Sequence, residues 1–424
     1  MAPSAIAEHV QLQGKSDTSP ASIQASVLHG PRDLRITGAD YTDVLLNSLD
    51  MVADVRIQET RTIADPLAGE LQVAISATGI CGSDLSYYTK FRNGDVQILS
   101  PLSLGHESAG VVVGIGEGVE GFTLGDRVAI EVGVPCDSCR SCQRGRYNLC
   151  QRMRFRSSAK TVPHFQGTLQ ERINHPAKWC HRVPDHVSTG SVALLEPLAV
   201  AIHATRRAVV EQGDTAIVLG AGAVGLLTAA MAKLSGATTV LIADINVSRV
   251  KFALDHGFAT RGYVVTDNPH AAKEDHVHSV AKELANDVVA IAYAGELDAE
   301  GADVTFECTG KEVCTQAGLY ATRPGGKLIM VGMGTPTQTL QMSASQWKEV
   351  DILGVFRYAN TYPIGLKLLS AGVLPNLDAM ITHRFQGLAE ARDAFELASR
   401  AVDDEGNLVL KVLIESRQDR KCME

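Results

Sequence analysis

A glycine-rich turn between an apolar strand and a helix is the feature that most restricts how this chain can fold. The run from Ala216 to Leu219 leads into Gly220, Gly222 and Gly225, and an Ala/Leu-rich segment follows. Glycines in this G-x-G-x-x-G spacing permit a tight turn and a close approach of the backbone to a pyrophosphate, which the N-terminus of the helix attracts. The pattern predicts a βαβ unit in an α/β domain with a doubly wound parallel sheet.

An acidic residue follows this turn at the position expected in a dinucleotide site. Asp244 ends the next apolar strand, 19 residues after Gly225, where its carboxylate can accept hydrogen bonds from the adenosine ribose hydroxyls. The carboxylate would repel a 2′-phosphate, so the sequence predicts NAD rather than NADP, although Arg249 nearby softens that preference. The alternative is an ordinary glycine-rich turn without a ligand. The predicted cofactor-binding residues are Gly220, Gly222, Val224, Gly225, Asp244 and Arg249.

The pattern of the chain changes near residue 199. Short β-like runs separated by Gly, Pro and Asp, such as 71–80 and 108–116, predict a β-rich, barrel-like domain over residues 23–198. From residue 199 onward, strands alternate with glycine-rich turns and helices, which predicts parallel βαβ units. Residues 1–22 are predicted to form a mobile tail, and the segment from Tyr362 is predicted to be helical.

Composition and charge exclude several classes of protein. The 424 residues include 39 Lys or Arg and 48 Asp or Glu, which gives a formal net charge of −9. Such a field disfavours nucleic acid and anionic membrane surfaces as partners. Because the N-terminus shows no export signal and no apolar run reaches the ~18 residues of a membrane span, we expect a cytoplasmic protein.

A basic stretch between residues 140 and 160 contrasts with the overall charge. It could bind an anion, but such stretches more often form a solvated face or a subunit contact, and we favour that interpretation. Its members are Arg140, Arg144, Arg146, Arg152, Arg154, Arg156 and Lys160.

Four cysteines close together form the strongest metal-binding pattern. Cys136, Cys139, Cys142 and Cys150 have the spacing C-x2-C-x2-C-x7-C, and a cytoplasmic chain keeps its nine cysteines reduced. Four thiolates can fill every position of a tetrahedral Zn²⁺, so we predict a closed, structural zinc site in a lobe of about residues 136–150. The alternatives are free surface cysteines or a zinc module that binds nucleic acid, and the acidic chain opposes the latter.

A second group of potential metal ligands is spread over the first domain. Cys81 occurs in GICGSD, His106 and Glu107 occur in LGHE, and Glu196 occurs in LLEPLAV. A cysteine, a histidine and one carboxylate can hold Zn²⁺ and leave a position open for water or substrate, as a catalytic zinc requires. Adjacent residues of a strand point to opposite faces, so His106 and Glu107 can share a metal only at a turn. Either glutamate can supply the carboxylate.

Hydroxyl and aromatic residues accompany these ligands. Ser83 lies two residues after Cys81, and a hydroxyl beside a metal can carry the proton of an alcohol towards solvent. Tyr87, Arg357 and Tyr358 could hydrogen-bond a polyhydroxylated chain. Taken alone, each of these residues more often has a structural role.

Together these motifs resemble the zinc-containing medium-chain dehydrogenases. GICGSD, SLGHESAGVV, the four cysteines, LLEPLAVAIHA and VLGAGAVG occur in the order typical of that family, and the resemblance covers most of residues 23–415. FECTG, RPGGKLIMVGMG and GVFRYANTYP look most like the branch of sorbitol, xylitol and L-arabinitol dehydrogenases, and the whole chain resembles the fungal sorbitol dehydrogenases.

The resemblance implies a GroES-like catalytic domain of residues 23–198 and 359–424, a Rossmann domain over 199–358, and a homotetramer. It also implies one catalytic and one structural Zn²⁺ per chain, NAD as cofactor, and a polyol as substrate, sorbitol above all, which is oxidised to a ketose. By position, Glu107 matches the carboxylate ligand, Glu196 matches a second acid that binds the metal or its water, and Ser83 matches a proton-relay hydroxyl. The residues that match the lining of the polyol pocket are Tyr87, Phe155, Arg357 and Tyr358.

Three features depart from the family pattern. Many relatives carry a histidine three residues after the relay serine, where this chain has Ser86. The segments around 37–60 and 267–300 are longer than usual and are interpreted as surface excursions. Xylitol and L-arabinitol are alternative substrates, and a non-catalytic dinucleotide-binding protein with a structural or regulatory role is the alternative function.

Overall fold

The computed structural model describes residues 21–37, 61–266, 277–294 and 299–416. Residues 1–20 of the predicted N-terminal tail lie outside these ranges, and so does nearly all of the extra segment around 37–60. None of the helices in the described ranges is both long and apolar enough to cross a membrane. These helices are α1 Gly82–Lys90, α2 Arg140–Gln143, α3 Thr189–Ala193, α4 Leu195–Ala208, α5 Ala223–Ser235, α6 Val247–Asp255, α7 Val277–Ala292, α8 Glu312–Ala321, α9 Met342–Lys348, α10 Tyr362–Ala371 and α11 Ala391–Ala398.

The strands fall into three groups along the chain. The first group is β1 Ala21–Ile23, β2 Ala25–Gly30, β3 Asp33–Thr37, β4 Arg61–Ile63, β5 Glu70–Gly79, β6 Arg92–Asn93, β7 Val96–Gln97, β8 Leu102–Ser103, β9 Glu107–Ile115, β10 Arg127–Ile130, β11 Gly133–Val134, β12 Arg154–Phe155, β13 Arg172–Pro176 and β14 Cys180–Arg182. The second is β15 Thr215–Leu219, β16 Thr239–Asp244, β17 Arg261–Val264, β18 Ala302–Glu307, β19 Thr322–Met330 and β20 Asp351–Gly354. The third is β21 Ile381–Gln386 and β22 Lys411–Glu415.

The first domain is organised around a seven-stranded sheet that uses both ends of the described chain. Its order is β14-β10-β9-β5-β22-β21, and β13 also pairs with β5. Strand β22 runs antiparallel to β5 and parallel to β21. The prediction that the segment from Tyr362 is helical is therefore wrong for β21 and β22. In β22 four consecutive residues are buried, so the sequence lacks the alternation that identifies a half-exposed strand.

The second domain is a six-stranded sheet in the order β17-β16-β15-β18-β19-β20, with every pairing parallel. Alternate residues of β15 enter different cores: Ala216 and Val218 pack with α4 and α5, whereas Ile217 and Leu219 pack with α7 and α8. Helices thus cover both faces, and the predicted α/β class with a doubly wound parallel sheet is confirmed. The strand order reverses between β15 and β18, where such sheets bind ligands at their carboxyl edge.

The segment 267–300 is more than a surface excursion, so that prediction is wrong for its described part. Helix α7 occupies the middle of the segment and buries Ala281, Leu284, Ala285, Val288 and Ala292. These positions follow the helical spacing of one face, which covers the sheet beside α8.

Candidate active site

The glycine turn lies at the carboxyl edge of the parallel sheet, between β15 and α5. Gly220 has φ of 102°, a conformation that side chains disfavour. A Cβ on Gly225 would lie 1.9 Å from the carbonyl oxygen of Gly220, so only glycine fits there. Gly222 precedes the first turn of α5, and a Cβ on it would meet no atom within 4 Å. The turn therefore presents bare backbone and a helix N-terminus to the crevice.

The remaining predicted cofactor residues surround this turn. Val224 lies in the first turn of α5 and is partly buried against the core. Asp244, the last residue of β16, accepts hydrogen bonds from the backbone N of Ala221 at 2.7 Å and of Asn246 at 2.8 Å, one at each carboxylate oxygen. Arg249, in α6, has a buried Nε without a partner among the described residues.

The structure brings Cys81, His106 and Glu107 together. Their ligand atoms all lie within 4.8 Å of one another. Cys81 stands between β5 and α1, while His106 directly precedes β9, of which Glu107 is the first residue. Gly105, with φ of 91°, turns the chain just before them. The neighbouring side chains therefore meet at a turn, the condition under which they can share a metal.

Asp84, which the sequence did not single out, contacts two residues of this group. Its Oδ1 lies 3.2 Å from Nδ1 of His106 and accepts a hydrogen bond of 2.6 Å from the hydroxyl of Ser157. Its Oδ2 accepts from the backbone N of Cys81 at 3.2 Å. Burial alone would raise the pKa of Asp84, but His106 and these hydrogen bonds lower it. An ionised Asp84 leaves Nε2 of His106 as the free ligand nitrogen.

Lys411 is a second residue that was missed. Its Nζ lies 2.8 Å from Oε1 and 2.5 Å from Oε2 of Glu107, and both side chains are buried.

Glu196, in the first turn of α4, lies outside the group formed by Cys81, His106 and Glu107, but its carboxylate interacts electrostatically with His106 and Glu107. Burial raises the pKa of Glu196 to about 7; the charges of His106 and Lys411 act in the opposite direction, and that of Glu107 in the same direction.

Side chains with hydroxyl, aromatic and guanidinium groups lie around these ligands. The Oγ of Ser83 is 3.4 Å from Nε2 of His106, and the ring of Phe155 is 5.7 Å from that of His106. Arg357, which follows β20 at the carboxyl edge of the parallel sheet, places its guanidinium 3.6 Å above the ring of Phe155. Burial lowers the pKa of Arg357 to about 10.

Two tyrosines complete this arrangement. Tyr87, in α1, accepts a hydrogen bond from the backbone N of Ala159 at 3.3 Å. Tyr358 is buried, and its hydroxyl has no hydrogen-bond partner among the described residues. Burial, followed by the neighbouring Tyr362 and Glu196, raises the pKa of Tyr358 well above its usual value. The neutral hydroxyl therefore lies near Glu196 and Tyr362 without a well-formed hydrogen bond and can donate to a ligand.

The four predicted lobe cysteines converge, with all sulphur atoms within 4.8 Å of one another. The Sγ atoms of Cys136 and Cys150 are 3.5 Å apart, as are those of Cys139 and Cys142. Tetrahedral zinc with Zn–S bonds of ~2.3 Å requires sulphurs about 3.8 Å apart, so the donor set fits this ion. The backbone N–H of Ser138 lowers the pKa of Cys136 to about 5.

The basic stretch beside the lobe does not form one solvated face. Arg156 is buried and donates to the backbone carbonyls of Gln166 at 3.0 Å and Asn174 at 2.5 Å. Its guanidinium and that of Arg154 both lie over the ring of Phe165, at 4.4 and 4.3 Å. The interpretation of the whole stretch as surface is therefore wrong for Arg156, which anchors the chain after the lobe.

Comparisons with known proteins agree with this architecture. Residues 67–185 match the alcohol dehydrogenase GroES-like domain, and residues 223–371 match the zinc-binding dehydrogenase family. The chain is 37% identical to sorbitol dehydrogenase of Gallus gallus, over 82% of this chain and 91% of the relative. It is 34% identical to L-idonate 5-dehydrogenase of Vitis vinifera, over 78% of this chain and 85% of the relative.

A solved structure leads to the same conclusion. L-idonate 5-dehydrogenase of Escherichia coli superposes with a TM-score of 0.75 at 26% identity, over 94% of this chain and all of that one. The predicted GroES-like domain and Rossmann domain are thereby confirmed, as is the resemblance noted from the motifs. The chain belongs to the zinc-containing medium-chain dehydrogenase family, oxidoreductases that act on CH–OH groups.

Proposed function

We propose that this chain oxidises a secondary hydroxyl of a sugar alcohol, with sorbitol as the first candidate, to the ketone of a ketose and transfers the hydride to NAD. The observation that carries the proposal is the group formed by Cys81, His106 and Glu107, whose ligand atoms lie within 4.8 Å of one another. Arg357 follows β20 at the carboxyl edge of the sheet, where such folds bind dinucleotides, and it lies over Phe155, whose ring is 5.7 Å from that of His106.

Cys81, His106 and Glu107 would hold a zinc ion, which would supply a Lewis acid that makes the substrate hydroxyl more acidic. Ser83, 3.4 Å from His106, accepts the hydroxyl proton. Ser86 donates its hydroxyl back to the carbonyl of Gly82 at 3.1 Å. Ser86 therefore does not replace the histidine of many relatives, and we propose that the proton passes from Ser83 to solvent.

The remaining side chains hold the two substrates. The polyol is oriented by Tyr87, Phe155, Arg357 and Tyr358, because a buried hydroxyl and a half-buried guanidinium bind hydroxyl groups strongly in a water-poor site. In the crevice, the N-terminus of α5 receives the pyrophosphate of NAD. Each oxygen of Asp244 keeps an acceptor position for the ribose hydroxyls, and the free Nε of Arg249 lies near the same end of the cofactor.

The proposal extends to the second metal, the subunits and the location of the protein. The four lobe cysteines hold a structural zinc that fixes the chain before Phe155.

Subunits assemble as a homotetramer. This is supported by the edge strand β20 and by Trp347 on the adjacent helix α9, whose side chain is 89% exposed. A cytoplasmic location agrees with eight free cysteines among the described residues.

The direct test is the initial rate of NADH or NADPH formation from sorbitol, xylitol, L-arabinitol and ethanol, with NAD or NADP. We expect oxidation of the polyols with NAD, and little oxidation of ethanol, which cannot engage Arg357 and Tyr358. The ranking of kcat/KM then identifies the substrate, and a first place for xylitol or L-arabinitol would leave the proposed mechanism unchanged. Inactivity on every polyol by protein that carries two zinc ions per chain would favour the non-catalytic alternative.

A sugar acid is a second candidate substrate. Arg357 has no ion pair with a carboxylate in the described parts of the chain, and its guanidinium rests on an aromatic ring instead. A carboxylate on the substrate would supply the missing negative charge. Two relatives are named L-idonate 5-dehydrogenase, so L-idonate belongs in the same assay. If kcat/KM for L-idonate exceeds that for every polyol, the proposed substrate becomes the sugar acid instead of the sugar alcohol.

Asp244→Asn is expected to change the cofactor preference. The variant has one side-chain oxygen, which can accept from the N–H of Ala221 or of Asn246 but not from both. It also loses the charge that binds the ribose hydroxyls and repels a 2′-phosphate. Hydrogen bonds to charged groups contribute ~1.5–3 kcal/mol, so the ratio of kcat/KM for NAD over NADP should fall by about 10- to 100-fold. Asp255→Asn, at the exposed end of α6, is the matched control and should keep the ratio of the wild type. An unchanged ratio in Asp244→Asn would place the discrimination elsewhere.

A further inference from the structure

Helix α4 carries three basic side chains at its C-terminal end. His203 and Arg207 are four residues apart and share one face of the helix, and Arg206 is adjacent to Arg207. The Nε2 of His203 and the Nε of Arg207 are both buried and have no hydrogen-bond partner among the described residues. Neither arginine forms an ion pair within the described ranges.

A fourth basic side chain reaches this end of α4 from the cysteine lobe. Asn360 joins the two elements: its carbonyl accepts from Nη1 of Arg206 at 3.4 Å, and its Nδ2 donates to the carbonyl of Gly145 at 2.7 Å. Its backbone N also donates to the hydroxyl of Tyr147 at 2.7 Å. Arg146 lies between Gly145 and Tyr147, is exposed, and has no acidic partner in the described chain.

The three arginines around His203 form a cationic cluster that has no ion pair with a carboxylate of the described chain. Burial, and then the charges of Arg207, Arg146 and Arg206, lower the pKa of His203 to about 4. The negative end of the α4 dipole offsets part of the repulsion among the arginines. The Nε2 of His203 and the Nε of Arg207 still have no hydrogen-bond partner among the described residues, which is unfavourable for buried polar atoms. A bound anion would remove both the repulsion and the unmade hydrogen bonds.

We infer that His203, Arg206, Arg207 and Arg146 form a binding site for a small multivalent oxyanion of the phosphate or sulphate class. Guanidinium groups match the oxygens of such ions with paired hydrogen bonds, and several of them neutralise more than one negative charge. The cluster is open to solvent through Arg146 and Arg206, so an ion can enter from outside.

This site is separate from the proposed catalytic centre and cofactor crevice. His203 follows Glu196 by seven residues, or about 10 Å along the axis of α4. The chain leaves the cluster at Ala208 and enters the sheet at the amino end of β15, whereas the glycine turn lies at the carboxyl end. The inference therefore does not depend on the proposed reaction.

The test is isothermal titration of the full chain with inorganic phosphate, at constant ionic strength set with NaCl and in the presence of saturating NAD, which occupies the proposed crevice. We expect one saturable site per chain. Arg207→Gln and Arg146→Gln should each weaken phosphate binding by at least about tenfold, because each removes a charge-assisted hydrogen bond. Arg146 is exposed, so its replacement leaves folding intact.

Arg144→Gln is the matched control, since Arg144 is an exposed arginine of the same lobe outside the cluster. It should bind phosphate as the wild type does. Absence of saturable binding, or equal binding by all three variants, would overturn the inference. A third outcome would also overturn the inference: the protein binds no phosphate, and Arg146→Gln loses subunit association in light scattering. The cluster would then face carboxylates of a second copy of the chain.

Discussion

Cys81→Ser is expected to lower kcat/KM for the polyol by about 10³-fold or more and to leave one zinc ion per chain instead of two. The reason is that a serine hydroxyl is a far poorer zinc ligand than a thiolate, and the Lewis acid contributes several kcal/mol to the transition state. Cys81 is one of three side chains in the described group, and the nearby Glu196 could not restore a thiolate ligand. Zinc per chain is measured by elemental analysis and turnover by NADH formation.

Cys314→Ser is the matched control for this experiment. Cys314 is a buried cysteine of α8 that belongs to neither cysteine-containing metal group. This variant should keep two zinc ions and turnover within a few-fold of the wild type. Full activity and two zinc ions in Cys81→Ser would contradict the assignment of Cys81 as a ligand.

Lys411→Met is expected to lower the free energy of unfolding of the metal-free protein by about 3–5 kcal/mol, the usual cost of breaking a buried ion pair. The substitution leaves Glu107, only 1% exposed, as a buried carboxylate without its ammonium partner. Zinc on Glu107 would supply a replacement charge, so the deficit should shrink in the zinc-loaded protein. Urea unfolding with and without chelator measures both differences.

The double variant Glu107→Gln with Lys411→Met separates the ion pair from simple packing. It removes both charges, so it should recover much of the stability that Lys411→Met loses. If Lys411→Met is as stable as the wild type without metal, or if the double variant is no better than the single one, the ion pair is not what stabilises this part of the fold.

The sequence predicted best those groups whose residues are close together along the chain. The turn around Gly220, the strand before it and the helix after it are contiguous, and so are the four lobe cysteines. Their spacing alone therefore predicts close approach. The same holds for Cys81 and Ser83, which a short loop and the start of α1 hold side by side. His106 and Glu107 needed the structure, because adjacent residues share a site only if the chain turns, and Gly105 supplies that turn.

The residues missed by the sequence analysis are partners of the ligands rather than ligands. Asp84 looks like an ordinary residue in the first turn of a helix until its carboxylate is seen beside His106. Lys411 lies in an apolar strand, 304 residues from Glu107, and nothing in its own segment suggests an ion pair. The packing of α7 was missed for a similar reason: its amphipathic face has meaning only once the sheet that it covers is known.

The position of Lys411 also has a consequence for biosynthesis. During translation the four lobe cysteines emerge from the ribosome within 14 positions of one another, so they can bind zinc early. The counter-ion of Glu107 is Lys411, which is synthesised 304 residues later, on strand β22 beside β5. A nascent chain that ends before β22 therefore carries Glu107 without its counter-ion in the proposed catalytic site. We expect the two proposed zinc sites to form at different stages of synthesis, and the proposed polyol oxidation to require that synthesis has passed β22.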